Sequence, residues 1–261
     1  MVPHTKSLKD KIKALRSQKD ILLMPHLVLG YPSYEENEKI IAAMINAGAE
    51  IIELQIPFSE PMADGPVILR ANDKALKAGA NTTKSLAFTQ KLKAQYPDTI
   101  FIFMTYYNVI FAYGIDRFFE ASKGAGIEAL IVPDLPPEEG ADYLDACTRY
   151  EIASIYLFTP TQTNERLATI AHYAKGMAYC VGRKGVTGIK TQMDQSTLDL
   201  IERYKKATDL PIGLGFGIQC KEDVTALIGH ADVAIIGTQL FIEYDRGGAE
   251  AVGRFLQNMR T

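Results

Sequence analysis

The sequence predicts a closed (β/α)8 barrel, the TIM-barrel fold, with an extra helix at its N-terminus. Short apolar runs rich in β-branched residues recur along the chain, and a segment with helical periodicity follows each, which is the pattern of a parallel sheet with crossover helices. The 261 residues match the length of about 250 that one such barrel needs. Because no linker or low-complexity stretch divides the chain, we expect one domain over residues 1–261.

The elements follow from these runs in chain order. Leu8, Ile12 and Leu15 have helical spacing and predict the N-terminal helix. The eight predicted strands cover residues 22–29, 50–56, 100–106, 129–132, 154–158, 177–181, 211–214 and 233–236. An open, doubly wound sheet is the alternative, but no G-x-G-x-x-G fingerprint follows the first strand, and eight units favour closure into a barrel.

Composition and charge exclude several classes of protein. Apolar residues make up 47% of the chain and charged residues 23%, which is ordinary for a globular protein. The net charge of −3 offers no excess that would attract nucleic acid or an anionic membrane, so we expect neither partner. The three cysteines form no disulfide or zinc pattern, and the N-terminus resembles neither a signal peptide nor a membrane span. We therefore expect a cytoplasmic protein.

Glu53 is the first candidate for acid–base chemistry. Side chains alternate along a barrel strand, so Ile51, Glu53 and Gln55 share one face and point inward, whereas Ile52 and Leu54 meet the helices. A carboxylate near the C-terminal end of an apolar strand lies where barrel enzymes carry out their chemistry. The alternative is a structural Glu paired with a buried Lys or Arg.

Asp64 is the second candidate, and it lies in a loop with three prolines directly after that strand (residues 57–66, called the proline loop below). Proline limits the freedom of this loop at the catalytic face. Asp-Gly pairs are common in turns, so Asp64 has a purely structural alternative. If the loop folds back over the barrel mouth, Glu53 and Asp64 face one cavity and can divide proton transfer and charge stabilisation between them.

Glycines after the last three predicted strands indicate a phosphate site. Gly185 and Gly188 follow the sixth strand, Gly217 follows the seventh, and Gly237 with Thr238 follows the eighth. Barrels often hold phosphate with the backbone N–H groups of these loops and a helix N-terminus. The alternative is that each glycine only serves a turn. The three loops together favour a phosphorylated small molecule as the ligand.

The sequence predicts no metal site and no covalent nucleophile. The four histidines, His4, His26, His172 and His230, lack the spacing of metal ligands. His26 lies within a strand, and we interpret it as lining the core or the rim of the barrel. Ser59 lacks the G-x-S-x-G elbow of a nucleophilic serine. We therefore expect chemistry by carboxylates without a metal.

Five motifs occur in order over nearly the whole chain. They are Glu53-Leu54-x-Ile56-Pro57-Phe58-Ser59-Glu60-Pro61-Met62-Ala63-Asp64-Gly65-Pro66, Tyr106-x-Asn108, Asp134-Leu135-Pro136, Gly185-Val186-Thr187-Gly188 and Gly215-Phe216-Gly217. Together they resemble the tryptophan synthase alpha chain family, for which the first and fourth motifs are highly specific. The resemblance implies a lyase of tryptophan biosynthesis that splits indole-3-glycerol phosphate into indole and glyceraldehyde 3-phosphate.

The resemblance also implies roles for individual residues. Glu53 would transfer the proton. Asp64 would accept a hydrogen bond from the indole N–H group and stabilise the charge that develops on nitrogen. The residues expected to contact the substrate are Tyr106, Tyr179, Thr187 and Phe216. Those expected to hold the phosphate are Gly188, Gly217, Gly237 and Thr238. No cofactor is expected in this chain.

The family works with a beta chain that carries pyridoxal phosphate, in a two-alpha, two-beta complex, so the resemblance implies such a partner. A non-catalytic barrel subunit that only binds and activates a beta chain is the alternative, and the presence of both Glu53 and Asp64 argues against it. Another phosphate-binding barrel enzyme is a second alternative. The synthase that makes the same indole substrate would need a strand lysine, and the predicted strands contain none.

Five positions depart from the family's usual pattern. Gln55 stands in place of Gly, Glu60 in place of Asp and Thr238 in place of Ser. His26 and Val28 replace Phe and Thr. None of these changes removes an acid–base group, but Glu60 lies in the stretch that communicates with the partner, and His26 and Gln55 bear on the shape of the pocket.

Overall fold

Eight parallel strands close into a barrel, as the sequence predicts. The computed structural model describes residues 6–182, 195–215 and 217–260. Each strand pairs with the next along the chain, and the last pairs with the first, so the sheet has no free edge. The strands are β1 Leu22–Val28, β2 Ile51–Gln55, β3 Ile100–Met104, β4 Ile127–Ile131, β5 Ala153–Phe158, β6 Ala178–Val181, β7 Ile212–Gly215 and β8 Val233–Ile236.

Helices surround the barrel and connect its strands. They are α1 Leu8–Arg16, α2 Tyr34–Asn46, α3 Pro66–Lys77, α4 Thr82–Gln95, α5 Tyr107–Tyr113, α6 Ile115–Gly124, α7 Ala141–Arg149, α8 Asn164–Tyr173, α9 Gln195–Ala207, α10 Lys221–Thr225 and α11 Thr238–Met259. Side chains cap several of them; the Ser33 hydroxyl, for example, accepts from the backbone N–H of Glu36 at the start of α2. The backbone of α11 departs from helical geometry at Gly247 and Gly248.

The strands bury both faces, and the alternation of side chains separates two apolar layers. Ile51 packs inside the barrel with residues of the other strands, while Ile52, Leu54 and Ile56 pack outward in the layer shared with the helices. This confirms the predicted inward direction of Ile51 and, with it, of Glu53 on the same face.

Helix α1 covers the N-terminal end of the barrel. Its N-cap is Ser7, whose hydroxyl accepts from the backbone N–H of Asp10 at 3.3 Å. Leu8 and Ile12 are buried in the same apolar cluster as Leu22 and Met177 of the barrel interior. The additional N-terminal helix predicted from sequence therefore closes the bottom of the barrel, opposite the strand ends that carry the candidate site.

An ionic cluster lies at the same bottom face, around Glu50. Its buried carboxylate accepts from Lys19 Nζ at 2.5 Å, from Arg260 Nη2 at 2.7 Å and from the backbone N–H of Leu23 at 2.9 Å. A buried carboxylate is tolerated when it is paired and hydrogen-bonded in this way. The cluster ties β2 to the segment before β1 and to the residue that follows α11.

Seven of the eight strands differ from their predicted bounds by one or two residues at one or both ends, and three of these differences show the local arrangement most clearly. β3 ends at Met104 because Tyr106 caps the short helix α5. β4 begins at Ile127, two residues before the predicted start, and charged Glu128 interrupts the apolar run there. β7 extends to Gly215, which pairs with Val181 and Ile235.

Candidate active site

The carboxyl ends of the strands surround a cavity that is open to solvent at its mouth. Seven strands contribute one side chain each to its wall: His26, Glu53, Met104, Ile131, Leu157, Tyr179 and Ile235. Ala63 and Asp64 of the proline loop and residues that follow β7 and β8 complete the lining. Enzymes built on this barrel carry their active sites at this face.

Glu53 lies in the cavity wall at the middle of β2 and is only 3% exposed. Its Oε1 is 2.9 Å from Nδ1 of His26. Oε2 is buried and has no hydrogen-bond partner among the described residues. The structural alternative, in which Glu53 pairs with a buried Lys or Arg, does not fit, since the partner is a histidine and one oxygen is left for a ligand.

Asp64 reaches the same cavity from the proline loop. Gln55 Nε2 donates to Asp64 Oδ2 at 2.8 Å, and the backbone N–H of Asp64 donates to Pro61 O at 3.0 Å. Asp64 therefore closes a turn with its backbone and still presents its carboxylate to the cavity. Burial raises its pKa above the ordinary value, although the charge of His26 and the hydrogen bond from Gln55 oppose the shift.

Tyr106 supports the proline loop and is not part of the cavity wall. Its ring stacks on Phe58 with centroids 4.9 Å apart, and its hydroxyl accepts from the backbone N–H of Ala63 at 3.2 Å. Asn72 on α3 holds the same loop by accepting from the backbone N–H of Phe58. Tyr106 therefore helps to place the loop that carries Asp64, and its contact with the substrate stays a prediction.

Tyr179 lines the cavity from β6, opposite the two carboxylates. Burial raises the pKa of its hydroxyl well above the ordinary value, and the nearby charges of Glu53 and Asp64 add to the shift. A Cβ atom on Gly215 would come within 2.8 Å of the ring and of the hydroxyl of Tyr179. Gly215 therefore makes room for this tyrosine, a packing role that sequence reasoning missed.

The loops after β7 and β8 add Gly217, Gly237 and Thr238 to the lining of the cavity. Gly217 adopts φ +85°, a left-handed conformation that favours glycine. Thr238 begins α11, and its buried hydroxyl has no hydrogen-bond partner among the described residues. The first turn of a long helix directs unpaired backbone N–H groups outward, which suits an anion.

Three predicted site residues, Thr187, Gly188 and Phe216, lie outside the described residues. Within the described ranges, no group of three or more His, Cys, Asp or Glu side chains could hold a metal ion. Cys147 and Cys180 are buried thiols, and Cys220 is half-buried. No helix of the described chain is long and apolar enough to cross a membrane.

His26 and Gln55, which the sequence connects only with the shape of the pocket, are hydrogen-bonded to the two carboxylates. His26 does line the cavity wall, as interpreted, but it also joins Glu53 to Gln55, whose side chain is fully buried. Parallel pairing places His26 of β1 in register with Glu53 of β2. The alternation of side chains shows that all three point inward, but the register between two strands cannot be deduced from a single sequence.

Comparison with known proteins agrees with this arrangement. The family model described as tryptophan synthase alpha chain matches residues 12–256. The tryptophan synthase alpha chain of Desulfotalea psychrophila is 47% identical over 256 residues, covering 97% of this chain and all of that protein. The tryptophan synthase alpha chain of Aquifex aeolicus is 33% identical over 254 residues, covering 97% of each chain.

Solved structures show the same similarity. The structure of Mycobacterium tuberculosis tryptophan synthase contains a chain that superposes with a TM-score of 0.91 at 29% identity, covering 98% of this chain and 97% of that one. Tryptophan synthase subunit alpha from Legionella pneumophila superposes with a TM-score of 0.89 at 30% identity, covering 98% of both chains. The sequence match over nearly the whole chain and the shared barrel, with the two carboxylates in its cavity, show that this chain belongs to the tryptophan synthase alpha chain family.

Proposed function

We propose that this chain cleaves indole-3-glycerol phosphate to indole and glyceraldehyde 3-phosphate in tryptophan biosynthesis. The observation that carries the proposal is that one cavity is lined both by Glu53 and Asp64 and by the N-terminus of α11. A bound phosphate at the helix end would direct the rest of the substrate toward the carboxylates. The presence of both carboxylates on different elements, β2 and the proline loop, fits divided catalytic roles.

The reaction needs one proton delivered and one removed. Protonation of indole carbon 3 leaves positive charge on the ring nitrogen. Removal of the proton from the neighbouring side-chain hydroxyl then lets its electron pair form the aldehyde C=O bond as the carbon–carbon bond breaks, and the electron pair of the broken bond neutralises the charged ring. We assign the proton transfers to Glu53, whose Oε2 has no partner among the described residues, and we assign stabilisation of the ring N–H to Asp64.

We assign the phosphate to Gly217, Gly237 and Thr238. These residues combine backbone N–H groups, a hydroxyl that has no partner in the described part of the chain, and the positive end of a helix dipole. Gly188 belongs to the same proposed site by the resemblance of its motif. Tyr179 would contact the indole ring from β6, with Thr187 and Phe216 as further proposed contacts. None of these steps requires a cofactor in this chain.

Family membership implies a beta chain as partner, and we propose a two-alpha, two-beta complex with pyridoxal phosphate bound only by the beta chain. The segments that follow the strand ends expose large apolar side chains, among them Met62 of the proline loop at 81% and Phe111 of α5 at 66%. Exposed apolar side chains around a site often mark a protein interface. We further propose that the complex works in the cytoplasm, where thiols such as the partly exposed Cys220 stay reduced.

The test is indole release from indole-3-glycerol phosphate by the purified chain, with and without its beta chain. We expect slow release by the chain alone, acceleration by the partner, and a loss of roughly 100-fold or more in kcat for Glu53→Gln and for Asp64→Asn. His172→Gln is a matched control on the exposed side of α8 and should keep wild-type activity. A chain that releases no indole but still activates the beta chain would instead be a non-catalytic subunit.

A further inference from the structure

Four buried or half-buried side chains form one hydrogen-bonded series across the cavity. Glu53 Oε1 is 2.9 Å from His26 Nδ1, His26 Nε2 is 3.0 Å from Gln55 Oε1, and Gln55 Nε2 is 2.8 Å from Asp64 Oδ2. The two proposed catalytic carboxylates are thus joined through His26 and Gln55. Two of the positions that depart from the usual family pattern lie at the centre of this series.

The pattern of donors and acceptors determines the protonation of His26. The amide nitrogen of Gln55 faces an oxygen of Asp64, so the amide oxygen must face His26 Nε2. The other ring nitrogen faces an oxygen of Glu53. With Glu53 ionised both neighbours are acceptors, so both ring nitrogens have to donate, and only the imidazolium form can do so.

The charges around His26 favour the same form. Glu53 on β2 and Asp64 on the proline loop are the acidic groups nearest to it, Tyr179 faces the carboxylates from β6, and Phe241 of α11 lies 6.0 Å from the imidazole ring. Of the described residues that line the cavity, none is Lys or Arg. Burial lowers the pKa of His26, but Glu53, Asp64 and the hydrogen bond with Gln55 outweigh burial and raise it above 6.5.

We propose that His26 is a positioning residue, held as an imidazolium ion, which fixes Oε1 of Glu53 so that Oε2 is free for the substrate and which, through Gln55, holds Asp64 in place. The inference rests on the proposed function for its kinetic consequence. Its charge also offsets the two carboxylates, which would otherwise repel each other in a partly apolar cavity. His26 and Gln55 therefore act as a pair, and either alone leaves a buried polar group without its partner.

The protonation can be measured without any assay of activity, by nitrogen NMR of the histidine rings at neutral pH. His26→Phe identifies the signals of His26, and exposed His172 serves as the reference in the same spectrum. We expect both ring nitrogens of His26 to carry a proton. A neutral ring with a single N–H overturns the proposal. It would require either a protonated Glu53 that donates to Nδ1, or a reversed Gln55 with a protonated Asp64.

The kinetic test compares His26→Phe, Gln55→Gly and the double variant with wild type, and His172→Phe is the matched control. We expect each single variant to lower kcat by roughly 10- to 100-fold with little change in KM, because the carboxylates lose their orientation rather than their contact with the substrate. The double variant should recover part of the loss, since it leaves no unpaired amide. A double variant whose loss of kcat equals the two single losses combined would contradict a paired role. Variants that raise KM and leave kcat unchanged would contradict a positioning role.

The pH profile separates positioning from simple packing. A raised pKa means that the cation is fully present below 6.5 and is lost as pH rises through the higher value of the folded protein. Wild type should therefore lose kcat on the alkaline side, whereas the double variant should not show this limb. If kcat of wild type and of the double variant depends on pH in the same way, the proposal is overturned. If wild type releases no indole at all, the proposed function fails, and the NMR result still decides the state of His26.

Discussion

At the scale of single residues, the candidate site depends on contacts between the residues of the cavity wall and the residues packed against them. Tyr106 and Asn72 hold the proline loop through backbone contacts at Ala63 and Phe58. Gly215 gives Tyr179 the space it occupies. Such support fixes the direction of catalytic side chains, and an error of about 1 Å in their placement can cost roughly 100-fold in rate.

Asp64 should cost stability as well as supply function. The raised pKa of Asp64 means that the folded state disfavours the charged carboxylate. Its contribution to the free energy of unfolding is therefore most favourable below the ordinary pKa of 3.8, and it is lost as pH rises through the pKa of the folded protein. We expect Asp64→Asn to raise the free energy of unfolding at pH 7 and to raise it by a smaller amount at pH 5, while activity is lost at both. Urea unfolding at both pH values checks this. A variant less stable than wild type at pH 7 would contradict it.

Gly215→Ala should disturb the site through Tyr179. The added methyl group would come within 2.8 Å of the ring, so either the strand or the tyrosine must move. We expect a loss of about 1 to 3 kcal/mol in stability and a fall in kcat/KM. Gly124→Ala in α6 is the control, because nothing lies within 4 Å of the place that its added methyl group would take. Wild-type kinetics for Gly215→Ala would show that the position of Tyr179 is unimportant.

At the scale of elements, the sequence predicts the presence of each strand better than its ends or its neighbours. The apolar runs locate all eight strands, since parallel strands buried on both faces are apolar throughout. Glu128 shows the limit, because its pairing with Lys11 and Lys93 lets a charged residue enter β4. The register that places His26 beside Glu53 results from packing of the whole barrel and leaves no local signal.

Helix α1 should contribute to stability without affecting catalysis. Ile12 is fully buried against the barrel interior at the end remote from the candidate site. We expect Ile12→Ala to lower the free energy of unfolding by about 2 to 5 kcal/mol. The neighbouring exposed Lys13→Ala should change it by less than about 0.5 kcal/mol. Denaturant unfolding measures both, and kcat of the folded Ile12→Ala protein should equal that of wild type.

At the scale of the whole molecule, closure of the barrel brings distant parts of the chain together. β8 pairs with β1, and Arg260 joins Lys19 on the carboxylate of Glu50. The predicted strand order and the predicted position of the two carboxylates at the C-terminal face follow from general rules of this fold. The links that cross the closure, including Glu50 with Arg260, follow no such rule, because they depend on how the ends of the chain pack against each other.

Arg260→Ala should weaken this closure. It removes one of two cationic partners from a buried carboxylate, so we expect a loss of about 1 to 3 kcal/mol in the free energy of unfolding. Arg254→Ala is the matched control, because its pair with Glu250 is exposed and should contribute less than about 1 kcal/mol. Thermal and urea unfolding compare the two variants. Equal losses would show that the Glu50 cluster adds nothing beyond an ordinary surface pair.

Helix α1, which closes the bottom of the barrel, also limits the routes by which small molecules can enter or leave the cavity. Leu8 and Ile12 fill the N-terminal end, and apolar side chains of the strands fill the space above them. Reactant and products therefore have to pass through the strand-end mouth of the cavity, the face that exposes Met62 and Phe111. A protein docked on that rim would stand at the exit and would receive whatever the cavity releases.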